Sequence, residues 1–130
     1  ANGGNLGINV GPQPDGMLPR GEVECLEDMG EWLAVYGDAI YGTRVCAPYK
    51  KDGIAFTKKE GRVYAIETFE KETDPVKSEV WIPYAGAVTS ITMPDTGAVV
   101  EFTRQDNGYM LHLQEYGKET APIARVFCLM

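Results

Sequence analysis

No run of apolar residues in this chain approaches the roughly 20 that a membrane-spanning helix needs, so no membrane partner is expected. Basic residues are scarce, 12 Lys and Arg against 19 Asp and Glu, and the longest basic clusters are the pairs Lys50-Lys51 and Lys58-Lys59. Phosphate neutralisation needs a concentrated basic face, so nucleic acid is not an expected partner. The net charge of −7 is read as serving solubility. There is one His, and the three cysteines, Cys25, Cys46 and Cys128, form no C-x-x-C pair. That leaves too few ligands for a zinc site, and neither a metal nor an organic cofactor is expected. An odd cysteine count leaves at least one thiol free. All three read as small buried hydrophobes, with a Cys46–Cys128 bridge as the lesser alternative. The opening Ala1-Asn2-Gly3-Gly4 has nothing of a signal peptide, which in a fragment says nothing about where the parent protein goes.

A 44% hydrophobic content over 130 residues supports a packed core. Leu6, Ile8 and Val10 alternate with Gly7 and Asn9, the pattern of a short strand. Gly11-Pro12 closes it, and Pro14-Asp15-Gly16 supplies a turn, Pro presetting φ and Gly accepting positive φ. Pro19 suits the start of a helix, and Glu22 and Glu24 place negative charge at its positive end. Val23, Leu26, Met29, Leu33 and Tyr36 recur at three- and four-residue spacing, one apolar stripe that Cys25 and Trp32 widen. Gly37 is the expected stop. A buried strand of the 6–10 kind needs parallel neighbours, which nothing before Asn5 supplies. The expectation is that the chain is the tail of something larger.

Beyond Thr43 the period changes to alternation. Seven strands are expected: Ile54 to Lys58, Arg62 to Phe69, Glu79 to Pro83, Val88 to Met93, Ala98 to Thr103, Tyr109 to Leu113, and Pro122 to Leu129. Lys59-Glu60-Gly61, Pro94-Asp95-Thr96-Gly97 and Asp106-Asn107-Gly108 mark turns between them, Asn-Gly being a strong hairpin signal. Glu70 to Lys77 reads as an acidic loop. So many short strands with turns between them predict an antiparallel β-sandwich. The domains expected are residues 1–43, the strand-loop-helix unit, and 44–130, the sandwich, with Thr43 to Gly53 as the boundary.

The segment Asn5 to Thr43 resembles the α-L-fucosidases of glycoside hydrolase family twenty-nine. There the last barrel strand and helix read like G-G-N-L-L-L-N-V-G-P-x-x-D-G-x-I-P, then E-x-x-x-x-L-x-x-x-G-x-W-L, then N-G-E-A-I-Y-G-T. The matching stretches are Gly3 to Pro12, Asp15 to Pro19, Glu22 to Leu33 and Gly37 to Thr43. Weaker likeness continues at Phe56-Thr57-Lys58, Tyr64-Ala65-Ile66 and Ile123 to Leu129. Two departures are Arg44-Val45-Cys46, where the family usually has a Pro and an aromatic, and the charged loop after Phe69. The resemblance implies the last unit of a (β/α)8 barrel followed by an accessory β-sandwich. It also implies a parent that hydrolyses terminal α-L-fucose from glycans, sited in a secreted, periplasmic or lysosomal compartment. The implied partners are a fucosylated glycan, held by the parent's catalytic domain, and the remainder of the barrel or a second copy of this chain.

The family's retaining chemistry uses an aspartate nucleophile and a carboxylic acid/base. The motifs that carry these, and the His, Trp and Arg sugar ligands, have no counterpart among these 130 residues. No catalytic residue is therefore assigned, and the fragment is expected to be structural and inactive. Asp15 follows a barrel-like strand, on the side where such barrels build active sites, but Asp before Gly reads first as a turn residue. Glu22 and Glu31 read as helix-surface acids. His112 lies on the strand face opposite Tyr109, Leu111 and Leu113, with no nucleophile or acid beside it in sequence.

Among the aromatics Tyr41, Tyr49, Phe56, Tyr64, Trp81, Tyr84, Phe102, Tyr109 and Tyr116, alternation is taken to place Trp81 and Phe102 inside. Tyr84 and Tyr116, near loops, are the remaining candidates for a sugar platform. The rival function is a stand-alone carbohydrate-binding or adhesion sandwich. That rival needs exposed aromatics on the sandwich, whereas a barrel remnant needs uncovered apolar surface on the strand and helix.

Overall fold

The computed structural model describes residues 1–69, 77–113 and 124–130. The chain is mainly β, with two antiparallel sheets and one long helix. The larger sheet holds β1 (Arg44–Lys51), β2 (Ile54–Lys59), β3 (Arg62–Thr68), β8 (Ala124–Leu129) and β5 (Ile91–Thr92), in the order β1-β2-β3-β8-β5. The smaller holds β4 (Glu79–Ile82), β7 (Gly108–His112) and β6 (Glu101–Gln105), in the order β4-β7-β6. The turn chemistry fixes the hairpins. Glu60 and Gly61 both have positive φ, 51° and 79°, between the paired Lys59 and Arg62. Asp52 and Gly53, at 53° and 78°, do the same between Lys51 and Ile54. Two residues of positive φ give the turn whose twist matches that of the flanking strands.

Alternation then sorts the side chains. Ile54, Phe56, Ala65, Phe127 and Leu129 of the larger sheet meet Val80, Ile82, Tyr109 and Leu111 of the smaller one in a single core. The opposite face of the larger sheet carries Tyr64, Ile66, Val126 and Cys128, covered by Trp32, Tyr36 and Ala39. All six residues of β8 are buried, because that strand has a layer on each side.

Helix α1 (Arg20–Tyr36) follows Pro19, which stands just before the helical residues rather than among them. Trp32 and Tyr36 rest on the sheet, and the Trp32 indole N–H donates to the Ala124 carbonyl at 3.1 Å. The stripe is only half seated: Val23, Met29 and Leu33 are half-buried, Leu26 is exposed, and no residue of α1 is fully buried. Gly37 closes the helix at a negative φ of −56° and opens a 3-10 turn, Gly37–Ala39. Its lack of a side chain serves another purpose there, since a Cβ would stand 2.8 Å from the Tyr41 ring.

Several expectations need correction. Residues 5–10 form no strand. A strand exists through hydrogen bonds to neighbours, and here Leu6, Ile8 and Val10 are exposed at 84, 48 and 37%. β1 occupies the stretch expected as the boundary, because a one-sided edge strand with a register shift between Val45 and Lys50 shows little alternation. Val88 to Met93 shrinks to the two residues of β5, and Ala98 to Thr103 shifts to Glu101–Gln105. Trp81 is on the outer face of the smaller sheet, because its neighbours Val80 and Ile82 take the core positions. Phe102 packs against the core as expected. Cys46 and Cys128 are buried free thiols in separate clusters on opposite faces of the larger sheet, so no bridge joins them, while Cys25 is exposed. The Glu70 to Lys77 loop up to residue 76, the start of the last expected strand, and Tyr116 lie outside the described residues.

Candidate functional site

The loop between residues 11 and 19 is organised by Asp15. Its Oδ1 accepts from the Met17 amide at 3.0 Å, while the Gln13 amide donates to the Met17 carbonyl and the Gly16 amide to the Gln13 carbonyl. Gly16 takes a φ of +83°, open to glycine at little cost. The carboxylate is thus engaged in shaping its own loop. Glu31 is exposed. Glu22, read from sequence as a surface acid, is half-buried, and its Oε2 is shut from solvent without a hydrogen-bond partner among the described residues.

His112 lies on the outer face of the smaller sheet, directly across from Glu79 on β4 and Glu101 on β6. Its Nε2 is 3.0 Å from the Thr103 hydroxyl and its Nδ1 is 3.5 Å from the Glu79 carboxylate. The ring is exposed, and the three groups form a surface network. Among the described residues no group of His, Cys, Asp and Glu is disposed to hold a metal. No described helix is long and apolar enough to cross a membrane.

The core thiols are chemically quiet. Burial pushes the Cys46 thiol up against the smaller opposing pull of Lys58. Burial likewise raises Cys128, with Arg62 and a hydrogen bond to Thr92 acting the other way. Raised thiols carry little nucleophilic thiolate. Tyr84 is also raised, chiefly by burial, because its ring stacks on Phe56 at 6.0 Å. The ring remains half-buried and borders a surface groove with Arg44, Lys58 and Arg62. The Tyr109 hydroxyl is tied to the Gly86 carbonyl at 2.6 Å and receives the Val88 amide at 3.0 Å.

The leading segment exposes several large apolar side chains. Leu6, Ile8, Val10, Met17, Leu18 and Leu26 are all exposed. Along α1 a groove of about 460 Å³ runs past Cys25, Met29 and Trp32. Such a surface marks an association site rather than a solvent face. Sequence reasoning located it through the helical stripe and the alternation of residues 6–10.

A family model described as alpha-L-fucosidase matches residues 1–38. Among curated proteins, the chain is 36% identical over 94 residues to an alpha-L-fucosidase of Branchiostoma floridae, covering 70% of this chain and 20% of that protein. It is 34% identical over 94 residues to tissue alpha-L-fucosidase of Homo sapiens, with the same coverage. The chain thus spans about a fifth of the length of the curated relatives it matches. Among solved structures, Thermotoga maritima alpha-fucosidase in complex with fucose superposes with a TM-score of 0.71 at 32% identity, over 94% of this chain and 29% of that one. By sequence and by fold this chain is a relative of the α-L-fucosidases, matched over one part of their length.

Proposed function

We propose that the chain is the C-terminal part of a retaining α-L-fucosidase: the last strand-loop-helix unit of a catalytic barrel, residues 1–43, followed by an accessory β-sandwich, residues 44–130. The parent hydrolyses terminal α-L-fucose from glycans in a secreted, periplasmic or lysosomal setting. Residues 1–130 buttress the barrel and carry none of the catalytic carboxylates. The observation that carries this reading is the uncovered apolar surface of residues 6–18 and of α1. In it Leu6 to Val10 carries exposed apolar side chains and no strand partners, which a barrel would provide. The match of residues 1–38 to the fucosidase model supports the same reading. The rival, a stand-alone sugar-binding sandwich, took Tyr84 as a platform candidate, and that ring is half-buried, with one contact spent on Phe56.

The test is turnover of an aryl α-L-fucoside. The full-length protein should release the phenol and give α-fucose as the first-formed anomer by NMR, the outcome of retention. The 130-residue chain alone should release none. A full-length protein without turnover, or turnover by the short chain that disappears in Asp15→Asn, overturns the proposal.

A further inference from the structure

The surface of the sandwich remote from α1 carries a second feature. Layer by layer the order is helix, larger sheet, smaller sheet, so the outer face of the smaller sheet lies on the side away from α1. Trp81 lies on that face, paired across β7 with Met110. Its indole rests against Gly108, where an added Cβ would stand 2.8 Å from two ring atoms and 2.3 Å from the Ile82 carbonyl. Gly108 therefore lets a flat ring settle onto the strand. The ring borders a groove of about 560 Å³, whose other walls are Asp52 at the β1–β2 turn, Glu67 of β3, and Lys77 and Glu79 at the start of β4. Arg125 firms the wall from behind. It is 4% exposed, donates through Nε to Glu67 Oε2 at 2.7 Å and through Nη2 to the Lys77 carbonyl at 3.2 Å.

We propose that this groove is a binding site for a neutral saccharide. The Trp81 face takes the C–H face of a pyranose ring, and Asp52 and Glu79, with Lys77, hydrogen-bond its hydroxyls. Three features select that class. A half-buried indole offers apolar, polarisable area at little entropic cost. Carboxylates and an ammonium make the stronger, charge-assisted hydrogen bonds to hydroxyls. Charge is nearly balanced: Arg125 neutralises Glu67, leaving Asp52 and Glu79 against Lys77. Phosphate or nucleic acid would meet no net attraction there, and a strongly cationic partner little. The volume lies within the ordinary range for small-molecule sites, about 300–1,000 Å³. The site stands independently of the fucosidase reading, since no hydrolytic group is assigned to it.

The experiment uses the full-length protein with ¹⁵N-labelled tryptophan. Methyl β-galactoside, β-glucoside, α-mannoside and α-L-fucoside are titrated in turn, and the indole resonances assigned through Trp81→Phe and Trp32→Phe. At least one glycoside should shift the Trp81 indole in a saturable way with weak, millimolar-range affinity. The shift should persist from low to high salt, while the Trp32 resonance stays fixed. Trp81→Ala should abolish binding, Trp81→Phe should weaken it several-fold, and Asp52→Asn with Glu79→Gln should weaken it about tenfold. Hydrolysis of an aryl α-L-fucoside should be unchanged in all of these variants, so a failed site and a failed fucosidase assignment give different results. No Trp81 shift with any of the four sugars, or undiminished binding in Trp81→Ala, overturns the proposal. Binding that vanishes at high salt would assign the groove to a charged partner and overturn it equally.

Discussion

Residues 1–43 and 44–130 obey the same rules of patterning, yet they end in opposite states. In the sandwich, alternation is fully used: β8 hides all six of its residues, and Phe56, Ile82, Leu111 and Phe127 are wholly buried. In the leading segment the patterning is as clear, but α1 has no fully buried residue and Leu6 is 84% exposed. The difference teaches that hydrophobic pattern specifies which face wants cover, not whether cover is present. One region carries its own partners. The other is attached to it mainly through Trp32, Tyr36 and Ala39.

The sharpest way to break this comparison is at the sandwich's buried ion pair. Arg125→Ala leaves Glu67, whose side chain is 15% exposed, unpaired at the edge of the core. Removing one partner of a buried pair costs about 3–5 kcal/mol. Chemical denaturation of the 130-residue chain should show that loss, and a midpoint within experimental error of the parent's would mean that the pair is effectively solvated.

The seam between the regions comes next. Trp32→Ala removes a half-buried ring and its hydrogen bond to Ala124. Complete burial of an aromatic is worth about 3–5 kcal/mol, so a half-seated one should cost about 2. Amide exchange should rise throughout α1 while the smaller sheet keeps its protection. Uniform acceleration in both would show that the two regions unfold as one unit.

The smallest effect concerns pH. Cys46 and Cys128 are both raised by burial, so the folded chain holds protons that the unfolded chain releases. Stability from this source is complete below the ordinary thiol range and falls as pH rises through it, above about 8.5. Melting temperature should therefore drop between neutral and alkaline pH. The drop should be shallower in Cys46→Ala/Cys128→Ala, whatever the absolute offset from lost packing. Parallel curves for the two proteins would sink this prediction.

Much of the sandwich was legible because its turns carry their own chemistry. Glu60-Gly61 marked one hairpin by its turn chemistry, and Asn107-Gly108 marked the place of another, whose turn residues are Asp106 and Asn107. Gly108 also shows the limit of that reading. It marks a turn in sequence, but in space it is already in β7, seating Trp81. Alternation was taken to place Trp81 inside, but alternation allows either parity, and Val80 and Ile82 take the core positions. β1 was illegible because an edge strand with one buried residue has almost no pattern to read. Residues 6–10 read as a strand from alternation, from Gly and Pro at their ends and from the family resemblance, but a strand's partners are not written in its own residues. The groove beside Trp81 joins residues 52, 67, 77, 79, 81 and 110, a set that only the sheet topology collects.

The place of β8 in the larger sheet has a consequence for biosynthesis. It lies between β3 and β5, with Val63 paired to Leu129 and Thr92 to Cys128. Two neighbours made much earlier must wait for the strand that joins them. A ribosome that has finished β7 has therefore released a sandwich with its middle missing, two edges open to foreign strands. Folding of such non-local pairings is slow because distant segments must meet first. Any message truncated before Ala124 yields a chain that cannot close its core. Such products should be recognised as unfolded by the cell's proteases, so the sandwich persists only in chains in which β8 has been made.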